Sequence, residues 1–358
     1  MRKITTFTFL ALSFFFFSCE TEIKTNAEYK DMTVVYGLLN PSETDHYIKI
    51  NKGFIGEGSA NDLAANASNY NYSEGEISVK VEEYTSSNVF VKSYSLQRTL
   101  NEVPKENGVF DNTTNVLYKF TEPSLNSNNI FKLSIYNPSL DKVISSETAI
   151  PKGAKVSSAS TTDFNTLNFF NGSSYTPENI KVKEGENVGR IKASLVFSYM
   201  EVYTNGQDSV EKSFRISMGE ELANLNDIDL EFYLTGDVFF DAISNNVAAN
   251  IPFLDYRRLN SCKIELISAG VDMSTYMSVN APSNTSSVDF TNISNGLGLF
   301  SSRNVQLEKS NRPDFGETGY DGRINLGDET IKKILTMGLN FCSPRSAGAN
   351  PPAPICWQ

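Results

Sequence analysis

Apolar and polar residues alternate with period two along most of this chain, the signature of strands with one buried face. His46 to Phe54 puts Ile48 and Ile50 on one side and Lys49 and Asn51 on the other. Ile77 to Tyr84 repeats it, with Ile77, Val79 and Val81 inward and Ser78, Lys80 and Glu82 outward. Met32 to Leu39, Val89 to Leu96, Val116 to Phe120, Ile130 to Tyr136 and Val143 to Ala149 add further strands. So many short strands in succession predict an antiparallel β-sandwich over 32–150, in the immunoglobulin-like or transthyretin-like style. Ile55 to Glu76, with a short helix at Asn61 to Ala67, and Asn101 to Asn115 interrupt it as long loops. Pro151-Lys152-Gly153 marks a boundary.

Residues 151–358 predict a second β-rich domain with a few short helices. Gly189 to Thr204 and Gln207 to Met218 are strands joined by Asn205-Gly206, the sequence of a two-residue type I′ hairpin turn. Leu230 to Leu234 and Cys262 to Ile267 are also strands. Asp237 to Val247 has helical spacing, with Phe240, Ile243 and Val247 on one face. Val271 to Val279 and Asp328 to Met337 are short helices. The chain closes on a Pro-rich tail. The fold class expected is therefore mainly β.

The first residues depart from this pattern. Met1-Arg2-Lys3 is a positive start, and Thr8 to Phe17 is an apolar run too short to span a bilayer stably. Residues 1–18 read as a secretion signal. Ser18-Cys19 resembles the end of a lipobox of the relaxed kind found in Bacteroidota lipoproteins, with Phe16 where leucine is usual. The resemblance implies lipid on the Cys19 sulfur, and two or three acyl chains anchor firmly. Residues 19–31 are then a polar tether. Glu20 and Glu22, just after the cysteine, resemble the signal that sends such proteins to the cell surface.

Charge and cysteine content narrow the remaining chemistry. Loss of Arg2 and Lys3 with the leader takes the formal charge from −11 to −13. With no basic cluster to offset it, this disfavours nucleic acid as a partner. Beyond Cys19 the cysteines are Cys262, Cys342 and Cys356. Cys342 and Cys356 enclose a Pro- and Gly-rich segment that a disulfide would close; a pairing with Cys262, or three buried thiols, are the alternatives. Their spacing is not that of a zinc site.

A single histidine, His46, opens a strand, and no G-x-S-x-G segment accompanies it. Glu220-Glu221, or Glu231 with Asp229, are the carboxylate pairs available for glycoside hydrolysis, and nothing distinguishes them in an acidic chain. Asp314 to Glu329 lacks the spacing of an EF-hand loop. The expectation is a protein that is not an enzyme and needs no metal or cofactor. Asp208-Ser209-Val210 matches a short O-glycosylation sequon, with Ser209 as acceptor. For ligand contact the best residues are aromatics set among amides and hydroxyls: Tyr70, Tyr72, Phe169, Phe170 and Tyr175.

The most distinctive internal stretch is Phe290-Thr291-Asn292-Ile293-Ser294-Asn295-Gly296-Leu297-Gly298-Leu299-Phe300. It resembles the F-x-N-I-x-N-G-x-G-x-F segment of Bacteroidota lipoproteins of the domain-of-unknown-function family 4249. Val34 to Leu39 and the strand ending in Phe54 look similar to that group, whereas the long Ile55 to Glu76 insertion departs from it. The resemblance implies an outer-membrane lipoprotein, held to the membrane by its N-terminal lipid, beside a TonB-dependent transporter. Read physically, Asn295-Gly296 and Gly298 supply tight turns or close backbone approach. Asn292 and Asn295 cap them, and Phe290, Ile293, Leu297, Leu299 and Phe300 are core.

Overall fold

The structure is a computed structural model that describes residues 32–53, 59–105, 113–159, 166–224, 228–260, 262–281, 290–307, 325–343 and Cys356. The leader 1–18, the tether 19–31 with Cys19, and most of the Pro-rich tail lie outside the described residues. The fold is mainly β with a few short helices.

In the first half, strands β1 (Thr33–Leu39) and β2 (Asp45–Lys52) precede a short helix α1 (Ala60–Ala64) and a 3₁₀ turn (Ala67–Asn69). Strands β3 (Ser78–Thr85), β4 (Phe90–Ser95), β5 (Gln97–Leu100), β6 (Val116–Thr121), β7 (Asn129–Asn137) and β8 (Lys142–Ala149) come after them. β4-β3-β7-β8 form one antiparallel sheet, and β1-β2-β6-β5 form part of another. Their inward residues meet in a single core, with Val35, Ile48, Ile50 and Phe120 from one sheet and Val81, Phe131, Leu133 and Ile144 from the other. The alternation is what makes this possible: on β7 every second residue from Asn129 to Asn137 is buried.

The second half begins with β9 (Lys155–Ala159), β10 (Thr166–Leu167), β11 (Glu178–Lys183), β12 (Val188–Tyr203), β13 (Val210–Leu222) and β14 (Leu230–Leu234). Helix α2 (Gly236–Asn246), β15 (Leu254–Leu259), β16 (Lys263–Gly270) and helix α3 (Val271–Val279) come next. The chain continues through β17 (Leu297–Leu307), β18 (Asn325–Leu326), helix α4 (Asp328–Leu335) and β19 (Phe341–Cys342). β12 organises this half. It pairs with β13 along Arg190–Glu201, with β16 along Val188–Val196 and with β15 along Tyr199–Tyr203. Ile191, Ala193, Leu195 and Phe197 on its inner face join Phe239 and Ile243 of α2 in a second core. The small sheets β14-β11-β9 and β10-β18 complete this half.

The two cores change over at the Pro151 boundary, since the first draws on residues up to Ile150 and the second starts at Ala154. Ile293 and Phe300 are the exceptions: they come from the second half and pack in the first core. The cause is β17. Its leading residues, Leu297–Ser302, pair in parallel with β1, and its trailing residues, Arg303–Leu307, pair with β16. One sheet thereby runs from β19 to β5 through both halves.

The Asn-Gly-Leu-Gly segment makes this seam fit. Gly298 sits at φ +106° opposite Val35, and a Cβ there would lie 2.0 Å from the Val35 carbonyl oxygen. Across the seam Gly37 faces Phe300, whose ring leaves a Cβ at 37 only 2.9 Å. The Asn292 amide binds both backbone groups of Phe300, accepting from its N–H at 3.0 Å and donating to its carbonyl at 2.7 Å. It so replaces a missing strand neighbour. Ser294 exchanges backbone hydrogen bonds with Ser145 of β8, and Ser302 Oγ donates to the Ala149 carbonyl at 2.8 Å. Of the residues expected in the core, Phe290 and Leu297 differ: Phe290 is half-buried, and Leu297, the first residue of β17, is 38% exposed.

The Asn205-Gly206 connection also differs from expectation. β12 stops at Tyr203 and β13 starts at Val210, so the turn is not a two-residue hairpin. Of the two residues only Gly206 has positive φ. The end of β12 is held instead by β15: Tyr203 pairs with Leu254, and the Thr204 N–H donates to the Phe253 carbonyl at 2.9 Å.

Cys342 and Cys356 form a disulfide, with Cα atoms 5.2 Å apart. It ties Cys356 to β19, which lies beside β15. Opening a loop of this length, by Cys342→Ser with Cys356→Ser, is expected to cost about 3 kcal/mol on chain entropy. Urea denaturation of the two forms measures it. Cys262 is a fully buried free thiol whose pKa burial pushes up to about 12. It is expected to resist maleimide at neutral pH in the folded chain and to react promptly in denaturant.

Candidate functional site

The aromatic residues singled out in the sequence are mostly structural. Tyr70 and Tyr72 are buried beside the first core, and the Tyr72 hydroxyl shares a 2.7 Å hydrogen bond with Thr33 Oγ1. Phe169 is buried and stacks on Phe239 of α2 at 4.1 Å between ring centroids. Phe170 lies half-buried, edge-on to Phe240 and Tyr175. Tyr175 alone of these has a largely open ring, 48% exposed, with one side over Phe240. Phe170 and Tyr175 keep part of their surface open, whereas Tyr70, Tyr72 and Phe169 pack the body of the protein. Their apolar area outweighs the polar character of their neighbours in sequence.

The other candidates are dispersed over the fold. His46 is buried against Phe120, and its Nε2 lies 3.0 Å from the Glu122 carbonyl oxygen. Glu220 is ion-paired with Arg190, and Glu231 with Lys181 at 2.9 Å. Ser209 stands exposed in the 204–209 loop, accessible for modification. Cys19 lies outside the described residues.

A site the sequence did not announce is formed on the outer face of the large sheet. β12 turns Lys192 and Ser194 to the side opposite its core residues. The register then fixes their neighbours. Ser217 of β13 and Glu265 of β16 flank Ser194, and Ile267 of β16 flanks Lys192. Val305 and Arg303 of β17 stand opposite Ile267 and Ala269. The turn after β1, with Asn40, Ser42 and Glu43, closes one end. Together with Arg215 these residues line an open groove of about 470 Å³. This is within the usual size range of small-ligand sites.

Two ion pairs build its walls. Arg215 grips Glu265 with two parallel hydrogen bonds, Nε to Oε2 at 2.6 Å and an Nη2 bond to Oε1 at 2.7 Å. The Glu265 side chain is only 5% exposed, whereas Arg215 is 63% exposed. This forked contact, the strong geometry for arginine and carboxylate, raises the Arg215 pKa above the ordinary arginine value. Arg303 reaches Glu43 at 2.9 Å, and the Ser42 hydroxyl donates to the Val305 carbonyl at 3.1 Å. Asn40 fixes the turn, accepting from the Ser42 N–H and donating to Glu43. The groove thus joins the first half to the second through contacts between residues 42–43 and 303–305.

No short spacing in the sequence marks this groove, since its residues converge from four strands and a turn. The available signal was the polar outer face of β12 and β13, which reads as ordinary solvated surface until the register is known. Among the described residues no cluster of metal-ligating side chains is present. No protein-family model matches the chain, and no curated protein sequence matches it.

Proposed function

We propose that this chain is a lipid-anchored binding protein of the bacterial outer membrane, presenting the polar groove as an accessory to a TonB-dependent transporter. The observation that carries the binding role is the groove itself, a concave surface held by two ion pairs, of which Arg303–Glu43 crosses the seam between the halves. Rigid polar groups on sheet strands are pre-organised, so little ordering opposes binding. The envelope location rests on the apolar run before Cys19 and on the likeness to family 4249 lipoproteins. The Cys342–Cys356 disulfide fits an oxidising compartment. A structural or adhesive surface lipoprotein is the second reading, favoured by the exposed 204–209 loop.

The anchor is testable in cells fed an alkynyl fatty acid. The chain is expected to take up the label and fractionate with outer membranes. Cys19→Ala is expected to lose both properties. Label that persists in Cys19→Ala, or an unlabelled soluble chain, would overturn the anchored reading.

A further inference from the structure

We propose that the groove binds a small hydroxylated carboxylate of the sugar-acid type. This deepens the binding role proposed above and rests on it. The groove keeps unused hydrogen-bond donors, while three of its four carboxylate oxygens already accept bonds and Glu43 Oε2 is left over among the described residues. Both Glu265 oxygens receive Arg215. Glu43 Oε1 receives both Arg303 and Asn40. The Asn40 oxygen receives the Ser42 N–H.

The donors are in excess. Lys192 is exposed and makes no hydrogen bond or ion pair among the described residues. Arg303 uses Nη2 on Glu43, and its buried Nε is closed off from the groove, so Arg303 contributes charge more than free donors. Arg215 has Nη1 left over, and the Ser194 and Ser217 side chains border the same space. An occupant that supplies acceptors is therefore favoured over one that supplies donors.

Charge sets the size of the anion. Lys192, Arg215 and Arg303 against Glu43 and Glu265 leave the groove one positive charge in excess, inside a chain of net charge −11. One excess charge matches a monoanionic carboxylate better than a dianionic phosphate. Lys192 Nζ and Arg215 Nη1 are left to donate to the carboxylate oxygens. Ser194 and Ser217 offer partners for hydroxyls, and Ile267 and Val305 form an aliphatic strip for the C–H face of a pyranose.

The test is calorimetric titration of the purified full chain in mild detergent with D-glucuronate, D-glucose and inorganic phosphate, at low salt. Saturable binding of glucuronate is expected, with glucose and phosphate much weaker. Lys192→Met removes a charge that holds nothing else in the fold, and it is expected to weaken glucuronate by about tenfold or more. Lys212→Met, exposed on β13 outside the groove, is expected to leave binding unchanged. Four results would each overturn the ligand class: no binding of glucuronate, glucose binding as tightly, phosphate binding more tightly, or Lys192→Met binding like the parent. Those results leave the fatty-acid label on Cys19 untouched, so failure of the ligand class is separable from failure of the anchored reading.

Discussion

Replacing Arg257 with methionine is expected to destabilise the fold by about 3–5 kcal/mol, the usual cost of breaking a buried ion pair from one side. Arg257 is fully buried on β15. Its guanidinium donates to Glu201 at 3.1 Å, to the Leu339 carbonyl at 2.7 Å and to the Ala248 carbonyl at 2.7 Å. It therefore ties β12, the segment after α2 and the turn before β19 to one point. Methionine fills much of the volume but leaves Glu201, 2% exposed, with only the Tyr203 hydroxyl at 2.8 Å among the described residues. The double variant Arg257→Met with Glu201→Leu removes the stranded charge and is expected to recover part of the loss. Urea denaturation followed by circular dichroism measures both. A single variant within about 1 kcal/mol of the parent would show that the buried carboxylate is tolerated without its partner.

Gly298→Ala is the second large effect, expected at roughly 3 kcal/mol or more from backbone strain added to overpacking. The methyl group meets the Val35 carbonyl oxygen at 2.0 Å, and φ of +106° is a conformation that alanine rarely adopts. Relief requires β1 and β17 to part. Gly75→Ala is the matched control: it too has positive φ, but nothing lies within 4 Å of the added carbon. It is expected to cost about 1–2 kcal/mol. Hydrogen exchange gives the location, because the amides of β1 and β17 are expected to lose protection before those of β3 and β7. Equal costs at the two glycines would show that the seam yields easily.

Strands β2, β3 and β7 were legible because each has one wet and one dry face, whereas β5, with no buried residue, was not expected. Ile77 to Tyr84 and Ile130 to Tyr136 carry their burial pattern in plain alternation, and the structure agrees with it. Helices α2 and α4 were legible from spacing, with Asp237 near the start of α2 and Ile331 and Ile334 on the buried face of α4. β17 was not. Asn295, Gly296 and Gly298 read as turn formers, and it takes β1 and β16, both distant in the sequence, to make Leu297–Leu307 a strand. β15 was hidden by its arginines, since a sequence does not reveal that Arg257 is buried against Glu201. The aromatic candidates misled for the converse reason: Tyr72 and Phe169 have polar neighbours in sequence but apolar neighbours in space. The groove is a property of register across four strands, so local pattern had no access to it.

The proposed role is that of an anchored partner of a transporter at the outer membrane. Isolation of the chain from native membranes in mild detergent, with mass spectrometry of everything that accompanies it, decides this. The expected result is a diacylglyceryl group on Cys19 and a TonB-dependent transporter in near-equimolar yield. Recovery of the chain alone, with Cys19 unmodified and away from the outer membrane, would contradict it.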